Sequence, residues 1–337
     1  MAKIKTKIIR AFMANISKFQ ITIKSDRMKI VFLDAGTFYG SPDIATLLAQ
    51  YGQVTLHDNT LPSDIVNRIS DADIVLSNKV VLGEDVFQNC PNLKLVCVTA
   101  TGTNNIDHQA AAKHGITIKN AAGYSTNSVA QTTLAMVLNL MMRLEDHQKF
   151  VATSYTTHPF FTNLHPGFSE INGKKWGIIG LGTIGKQVAK IATAMGASVQ
   201  YHSPSGRIQE CEYTHLSLQD LLSSSDIISI HSPLSEFTKN LIGQKELALC
   251  KPTSILVNVA RGGIVDEQAL ASALDSNTIA AAAVDVFQSE PISANNPLLH
   301  LANKHTLLVT PHIAWGSIEA RQKLMEITCQ NIEAYLK

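Results

Sequence analysis

The stretch "KKWGIIGLGTIGKQVAKIATAMG", residues 174–196, decides how the rest of the chain is read. An apolar run ends in glycines at 180, 182 and 185 and passes directly into a helical pattern. A lone GxGxxG is weak evidence, but this one follows a strand-like run and opens a helix, which is the context the motif needs. Gly180 permits the tight turn, Gly182 lets backbone approach a pyrophosphate, and Gly185 lets helix and strand pack closely. The helix start then offers the N–H groups of Thr183 and Ile184, at the positive end of the dipole, to phosphates. One element is missing. An acid about 20 residues on normally binds the adenosine ribose hydroxyls, but "SVQYH" ends at His202 and "SPSGR" follows. Ser203, Ser205 and Arg207 suit a 2′-phosphate, as in NADP, and equally suit hydrogen bonds to a plain ribose. NAD is the expected cofactor, with NADP left open.

Working outward, short apolar runs alternate with amphipathic stretches on both sides of this turn. Before it, "KIVFLDA", "QVTLHD", "ADIVLSNK", "LKLVCVTATG" and "GITIKN" read as strands. After it come "KKWGIIG", "SVQYH", "DIISIH", "SILVNV", "IAAAAVDVF" and "HTLLVT". Alternation with helices implies two α/β domains with mostly parallel sheets. Between the two sets lies "SVAQTTLAMVLNLMMRLEDHQKFV", expected as one long helix capped by Ser125, Thr126, Asn127 or Ser128. An irregular aromatic, His- and Pro-rich segment, 153–170, follows it.

The whole-chain numbers narrow the class. The 337 residues are 45% hydrophobic and 16% charged, which suits two compact domains rather than a disordered chain. No apolar run is long enough to suggest a membrane span. Five cysteines, Cys90, Cys97, Cys211, Cys250 and Cys329, lack metal-binding spacing and read as reduced thiols of a cytosolic protein. No metal is expected. Residues 1–27 carry seven Lys or Arg and one acid, so the remaining 310 residues have a net charge of about −5. That balance gives no support to nucleic-acid binding. The basic leader is loosely like an organelle transit peptide. Alternatively it is an extension outside the fold, which is expected to begin at Met28.

Three single titratable or charged residues stand just after strands of the second set. Arg261 follows "ILVNVA", Glu290 lies in "AVDVFQSEP" and His312 in "VTPHIAWGS". In open α/β sheets, ligands bind outside the carboxyl ends of the strands. An imidazole donates and accepts a proton near neutral pH, a carboxylate beside it fixes the tautomer, and a guanidinium grips a carboxylate with two parallel bonds. Arg261 cannot shed its charge, so a place at a core edge demands an anion. Together the three are equipment for reducing a 2-keto acid by hydride transfer. Singly, each has a structural reading: a helix-capping arginine, a turn glutamate, a satisfied core histidine.

The motifs "GLGTIG", "HSPLSEFT", "NVARGGIVDEQAL", "DVFQSEP" and "TPHIAWGS", in this order, resemble those of the D-2-hydroxyacid dehydrogenases. "ATGTNNID", "NAAGYSTNSVAQ" and Trp315 look most like the glycerate dehydrogenase, or hydroxypyruvate reductase, branch. The resemblance implies that Arg261 binds the substrate carboxylate and that His312 is the proton donor in reduction, with Glu290 as its partner. It places Thr101 and Gly102 on the substrate carboxylate. Lys79 either adds positive charge near the cleft or is solvated. Ser232, Pro233 and Ala260 border the cofactor, Asp285 meets the nicotinamide carboxamide, and Thr126 lies near the nicotinamide half. Two departures stand out: Gln131 replaces a usual glutamate, and His202 replaces the ribose-binding acid. The implied architecture has a discontinuous substrate domain, 28–125 plus 311–337, around a Rossmann domain, 126–310, with closure at a hinge. The long helix and the 145–170 segment would form the arm of a homodimer. The substrate expected is hydroxypyruvate or glyoxylate. A corepressor-like dinucleotide sensor on the same fold, and formate or phosphonate oxidation, are the competing expectations.

Overall fold

Runs of aliphatic and β-branched residues become the inner strands of two parallel sheets. The computed structural model describes residues 28–39 and 43–337. The reading of residues 1–27 lies outside those described. The chain divides into two units, one running to Tyr124 and resuming at Arg321–Lys337, the other spanning Ser125–Ala320.

The first unit contains β1 (Lys29–Phe32), β2 (Gln53–Leu56), β3 (Ile74–Ser77), β4 (Leu95–Val98) and β5 (Thr117–Asn120), all parallel, in the order β2-β1-β3-β4-β5. β3 and β4 are buried throughout, whereas the edge strands β2 and β5 are mostly open, as a doubly covered parallel sheet requires. Helices follow where the sequence supplies caps. Asp107 accepts from the N–H groups of Gln109 (3.0 Å) and Ala110 (2.9 Å) to start helix His108–Lys113. At the end of β1, Asp34 is 4% exposed. Its carboxylate accepts from the backbone N–H groups of Asn78 (2.8 Å), Lys79 (2.6 Å) and Val80 (3.3 Å), just beyond β3. Burial pushes this carboxyl above its ordinary value, against the pull of those three bonds.

The second unit contains β6 (Lys175–Ile179), β7 (Ser198–His202), β8 (Thr214–His215), β9 (Ile227–Ile230), β10 (Ile255–Asn258), β11 (Ala281–Val284) and β12 (Leu307–Val309). Their order is β12-β11-β10-β9-β6-β7-β8, and every pair is parallel. The chain reverses its direction of sheet growth between β6 and β9, which opens a crevice at their carboxyl ends. Apolar clusters cover both faces. One gathers Trp176, Ile178 and Val257 with helix Thr126–Met142, and the other gathers Ile179, Ile228 and Leu256 with helix Glu267–Asp275. Each fully buried Ile or Leu contributes about 1.5–3 kcal/mol relative to exposure. Within the first cluster the Trp176 indole N–H donates to Ser229 Oγ at 2.9 Å, so its one polar atom is satisfied.

Three features depart from the sequence expectation. β8 is a two-residue edge strand pairing Thr214 and His215 with β7, too short and polar to show a period. The long helix breaks at Arg143, whose backbone is left-handed (φ 51°, ψ 45°), giving helices Thr126–Met142 and Leu144–Thr153. The Arg143 side chain donates to Asp146 Oδ2 at 2.8 Å, while the other oxygen of Asp146 lies 3.3 Å from His305 Nδ1, so tertiary partners fix the break. Finally, residues 311–320 stay with the second unit rather than the first. The N–H of His312 donates to the Asp285 carbonyl at 2.8 Å, and Ser128 Oγ donates to the Ala314 carbonyl at 2.6 Å.

Candidate active site

The glycine turn has the form its spacing implies. Gly180 has φ 94°, and a Cβ there would collide with Ser232 Oγ. A Cβ on Gly185 would strike the Gly180 carbonyl, whereas one on Gly182 would meet nothing within 4 Å. The one open face of the turn is therefore the one that a pyrophosphate needs. Beside it lies a cleft of about 540 Å³ whose lining includes Thr126, Gly182, Thr183, Lys186, Lys190 and Arg207. Helix Thr183–Ala194 starts here, and its first N–H groups have no intrahelical acceptor. Free amides, three cations and an unfilled glycine face fit a dinucleotide diphosphate. Ser232 is buried and donates to the Ile179 carbonyl at 3.1 Å, which ties the end of β9 to the end of β6. Pro233, next to it, is exposed. His202 Nδ1 lies 3.1 Å from the Leu216 carbonyl and its ring stacks on His215, so the missing acid is replaced by a packed imidazole. Ser203 and Ser205 are within 3.4 Å of each other.

Arg261, Glu290 and His312 follow β10, β11 and β12, three adjacent strands. Neighbouring strands lie about 4.8 Å apart, so the three loops start within roughly 10 Å. His312 Nδ1 and Glu290 Oε2 are 2.7 Å apart, with side-chain exposures of 21% and 33%. Glu290 Oε1 accepts from the Phe287 N–H at 3.0 Å, which aims the carboxylate. The same residue, Phe287, meets Gly262, where an added Cβ would collide with the Phe287 carbonyl. Only glycine lets the Arg261 loop lie this close to the Glu290 loop. Glu267 braces the latter from helix Glu267–Asp275, accepting from the N–H of Gln288 and the amide of Asn296, both at 2.6 Å.

Arg261 is half-buried, and its guanidinium donates to the Ala260 carbonyl at 2.8 Å. Among the described residues it pairs with no carboxylate. The turn that carries it is shaped by Asn258, which accepts from the Ala260 N–H (3.1 Å) and donates to the Arg261 carbonyl (3.0 Å). His231, just after β9, contrasts with His312. Burial pushes the His231 imidazole down to about 3, so it stays neutral, with Nε2 at 3.0 Å from Ser229 Oγ. His312 is the one that faces a carboxylate.

Asp285 is fully buried. Its carboxylate accepts from the N–H groups of Ile313 and Ala314, both at 2.9 Å, and from the Thr310 hydroxyl. Family resemblance expects Asp285 at the cofactor; Asn258 is not singled out, and its only sequence signal is a polar residue closing an apolar strand. Ser128, expected only as a candidate helix cap, holds the Ala314 carbonyl from helix Thr126–Met142 and accepts from the Ser317 N–H at 3.2 Å.

In the first unit, Lys79 is exposed on the loop after β3 that Asp34 holds. Thr101 and Gly102 follow β4. The Thr101 hydroxyl donates to the Ala121 carbonyl (3.0 Å) and its carbonyl accepts from Asn120 (2.7 Å). Among the described residues no cluster of His, Cys, Asp and Glu suits a metal ion, and no helix is long and apolar enough to cross a membrane.

Residues 134–314 match the family model of the D-isomer specific 2-hydroxyacid dehydrogenase, NAD binding domain. The chain is 37% identical over 319 residues to a hydroxypyruvate reductase of Blautia hydrogenotrophica, covering 92% of this chain and 97% of that one. It is 35% identical to a glycerate dehydrogenase of Methylorubrum extorquens, covering 91% and 96%. Among solved structures, an acyclic imino acid reductase in complex with NADPH and D-Arg superposes with a TM-score of 0.82 at 29% identity, covering 92% and 97%.

Proposed function

Because the chain belongs to the D-isomer specific 2-hydroxyacid dehydrogenases, we propose that it reduces a small 2-keto acid to the D-2-hydroxy acid with NAD(P)H, hydroxypyruvate and glyoxylate foremost. The observation that carries this is the 2.7 Å His312–Glu290 pair beside a half-buried arginine that has no carboxylate of its own among the described residues. Bound at the Gly180–Gly185 turn, the cofactor supplies the hydride. Arg261 grips the substrate carboxylate through two parallel N–H donors and draws charge toward the carbonyl. Glu290 takes the Nδ1 proton of His312 in a hydrogen bond, which leaves Nε2 to give a proton to the carbonyl oxygen in reduction and to accept it in oxidation. Lys79, Thr101 and Gly102 are assigned to the substrate by family resemblance, and Ser232, Pro233, Ala260 and Thr126 to the cofactor.

Relatives named for reductase and dehydrogenase activities favour turnover over a sensing role. A homodimer is part of the same reading. Phe160, Phe161, Leu164 and Phe168 lie exposed on the segment after helix Leu144–Thr153, Phe161 by 90%, an apolar surface of the kind a second copy covers. Five free cysteines, three of them buried, support a cytoplasmic setting. The test is oxidation of NADH and of NADPH with hydroxypyruvate, glyoxylate, pyruvate and phosphonopyruvate. Turnover strongest with the first two is the expected result. A folded protein that reduces none of them would overturn the reading.

A further inference from the structure

Between buried Phe287 and buried Asn296, the segment 288–295 stands out from the second unit: its residues are exposed except Ile292, which is half-buried. So little apolar contact leaves a loop free to open locally. Yet this loop carries Glu290, whose carboxylate lies 2.7 Å from His312 Nδ1. Both ends of the loop are tied to one side chain. Glu267 Oε1 accepts from the Gln288 N–H and Oε2 from the Asn296 amide, both at 2.6 Å. Asn296 is itself oriented, because its Oδ1 accepts from the Leu298 N–H at 3.0 Å and leaves its NH2 group for Glu267. Elsewhere on the loop, His300 Nε2 lies 2.8 Å from the Ala294 carbonyl. Hydrogen bonds to an ionised acceptor are roughly twice as strong as neutral ones. Glu267 opens helix Glu267–Asp275, which is entered straight from the Arg261 loop and is capped by Asp266, whose carboxylate accepts from the Ala269 N–H at 2.9 Å. A capped helix thus holds, through one carboxylate, the loop that bears the other.

We propose that Glu267 is a positioning residue for the proton-transfer pair: by closing both ends of the segment 288–295 it keeps Glu290 against His312. The proposal rests on the reading of His312 as proton donor and Glu290 as its partner. The paired bonds define a reciprocal test. Glu267→Gln keeps the volume but can accept from only one of the two donors, since its own amide faces the other. Asn296→Asp sets a second carboxylate against Glu267, and the two repel. In the double variant the new amide donates to the new carboxylate, so the contact returns with donor and acceptor exchanged.

The experiment compares wild type, the two single variants and the double. With hydroxypyruvate, kcat should fall about tenfold in Glu267→Gln, further in Asn296→Asp, and return to within about threefold of wild type in the double variant. KM should change little throughout. A carboxylate held beside an imidazole favours its protonated form, so the loss of reduction at high pH should begin at lower pH in the single variants and move back in the double. Lower melting temperatures with kcat and the pH profile unchanged would make Glu267 a structural residue only and overturn the proposal. An NMR titration of the His312 imidazole in cofactor-free protein separates this from the proposed activity. A midpoint that falls in Glu267→Gln and recovers in the double variant supports the positioning role even if no keto acid is reduced, and an unmoved midpoint overturns it. Should Asn296→Asp not fold, Glu267→Ala, which loses both bonds, takes its place: a midpoint lower than in Glu267→Gln supports the proposal, and a wild-type midpoint overturns it.

Discussion

After β3 of the first unit, three consecutive backbone N–H groups converge on the chain's own carboxylate, Asp34. After β6 of the second unit, the turn at the matching switch point presents its N–H groups to a cleft, and no acceptor among the described residues meets those of Gly182 and Thr183. Both sheets are doubly wound, and both turns lie where the strand order reverses, β1/β3 in one and β6/β9 in the other. The same architecture creates an anion-seeking crevice in each. One is filled from within by a buried acid and becomes structure. The other is left open at Gly182 and is the one proposed to hold the cofactor. Fold alone does not make a binding site; whether the chain satisfies its own strand-end amides does.

The sharpest way to break this contrast is to attack the second unit's chemistry without its cleft. His312→Ala should lower kcat about a thousandfold while the Kd for NAD(P)H, read by fluorescence quenching, changes little. A loss of tenfold or less would mean that His312 moves no proton. Gly182→Val comes next. Its φ is −79° and nothing lies near an added Cβ, so the fold should tolerate it. Cofactor affinity should fall by about tenfold or more, a cost of about 1.4 kcal/mol. Unchanged affinity with unchanged melting would show that the open face of the turn is not where the diphosphate lies.

Asp34→Asn tests the filled crevice. Removing a buried acceptor from three amides should lower unfolding free energy by about 1–3 kcal/mol, measured in urea, with the cofactor Kd untouched. A change in Kd with no loss of stability would reverse the assignment of the two crevices. The smallest effect is one of sign. The folded-state pKa of Asp34 is raised above 3.8, so the stability linked to its protonation is complete below that value and is lost as pH rises through the folded pKa. The stability advantage of wild type over Asp34→Asn should therefore shrink from about pH 4 upward. An advantage that grew with pH would mean the three amide bonds outweigh burial.

Much of this was legible in the sequence because its signals are local. The GxGxxG turn, the aliphatic strands and the charged residues after β10, β11 and β12 each occupy a few consecutive positions. Sheet order then brings Arg261, Glu290 and His312 to one edge, which follows from parallel topology alone. What escaped depends on contacts across the chain. Asn258 is a single polar residue ending an apolar run, and the bonds of the Asp285 carboxylate to residues 310–314 emerge only when loops fold back. Ser128 reads as a cap but acts 186 residues away on Ala314. The break at Arg143 is invisible to helical periodicity, because the pattern of apolar residues continues through it. His202 remains a departure that the sequence flagged and the structure explains as packing on His215.

The central claim is that the half-buried guanidinium of Arg261 exists to meet a substrate carboxylate. It is tested most directly by comparing kcat/KM for hydroxypyruvate with that for dihydroxyacetone, its analogue with a hydroxymethyl group in place of the carboxylate, in wild type and in Arg261→Met. The account predicts strong preference for hydroxypyruvate in wild type and its collapse in the variant. A preference that survives the loss of the guanidinium would contradict it.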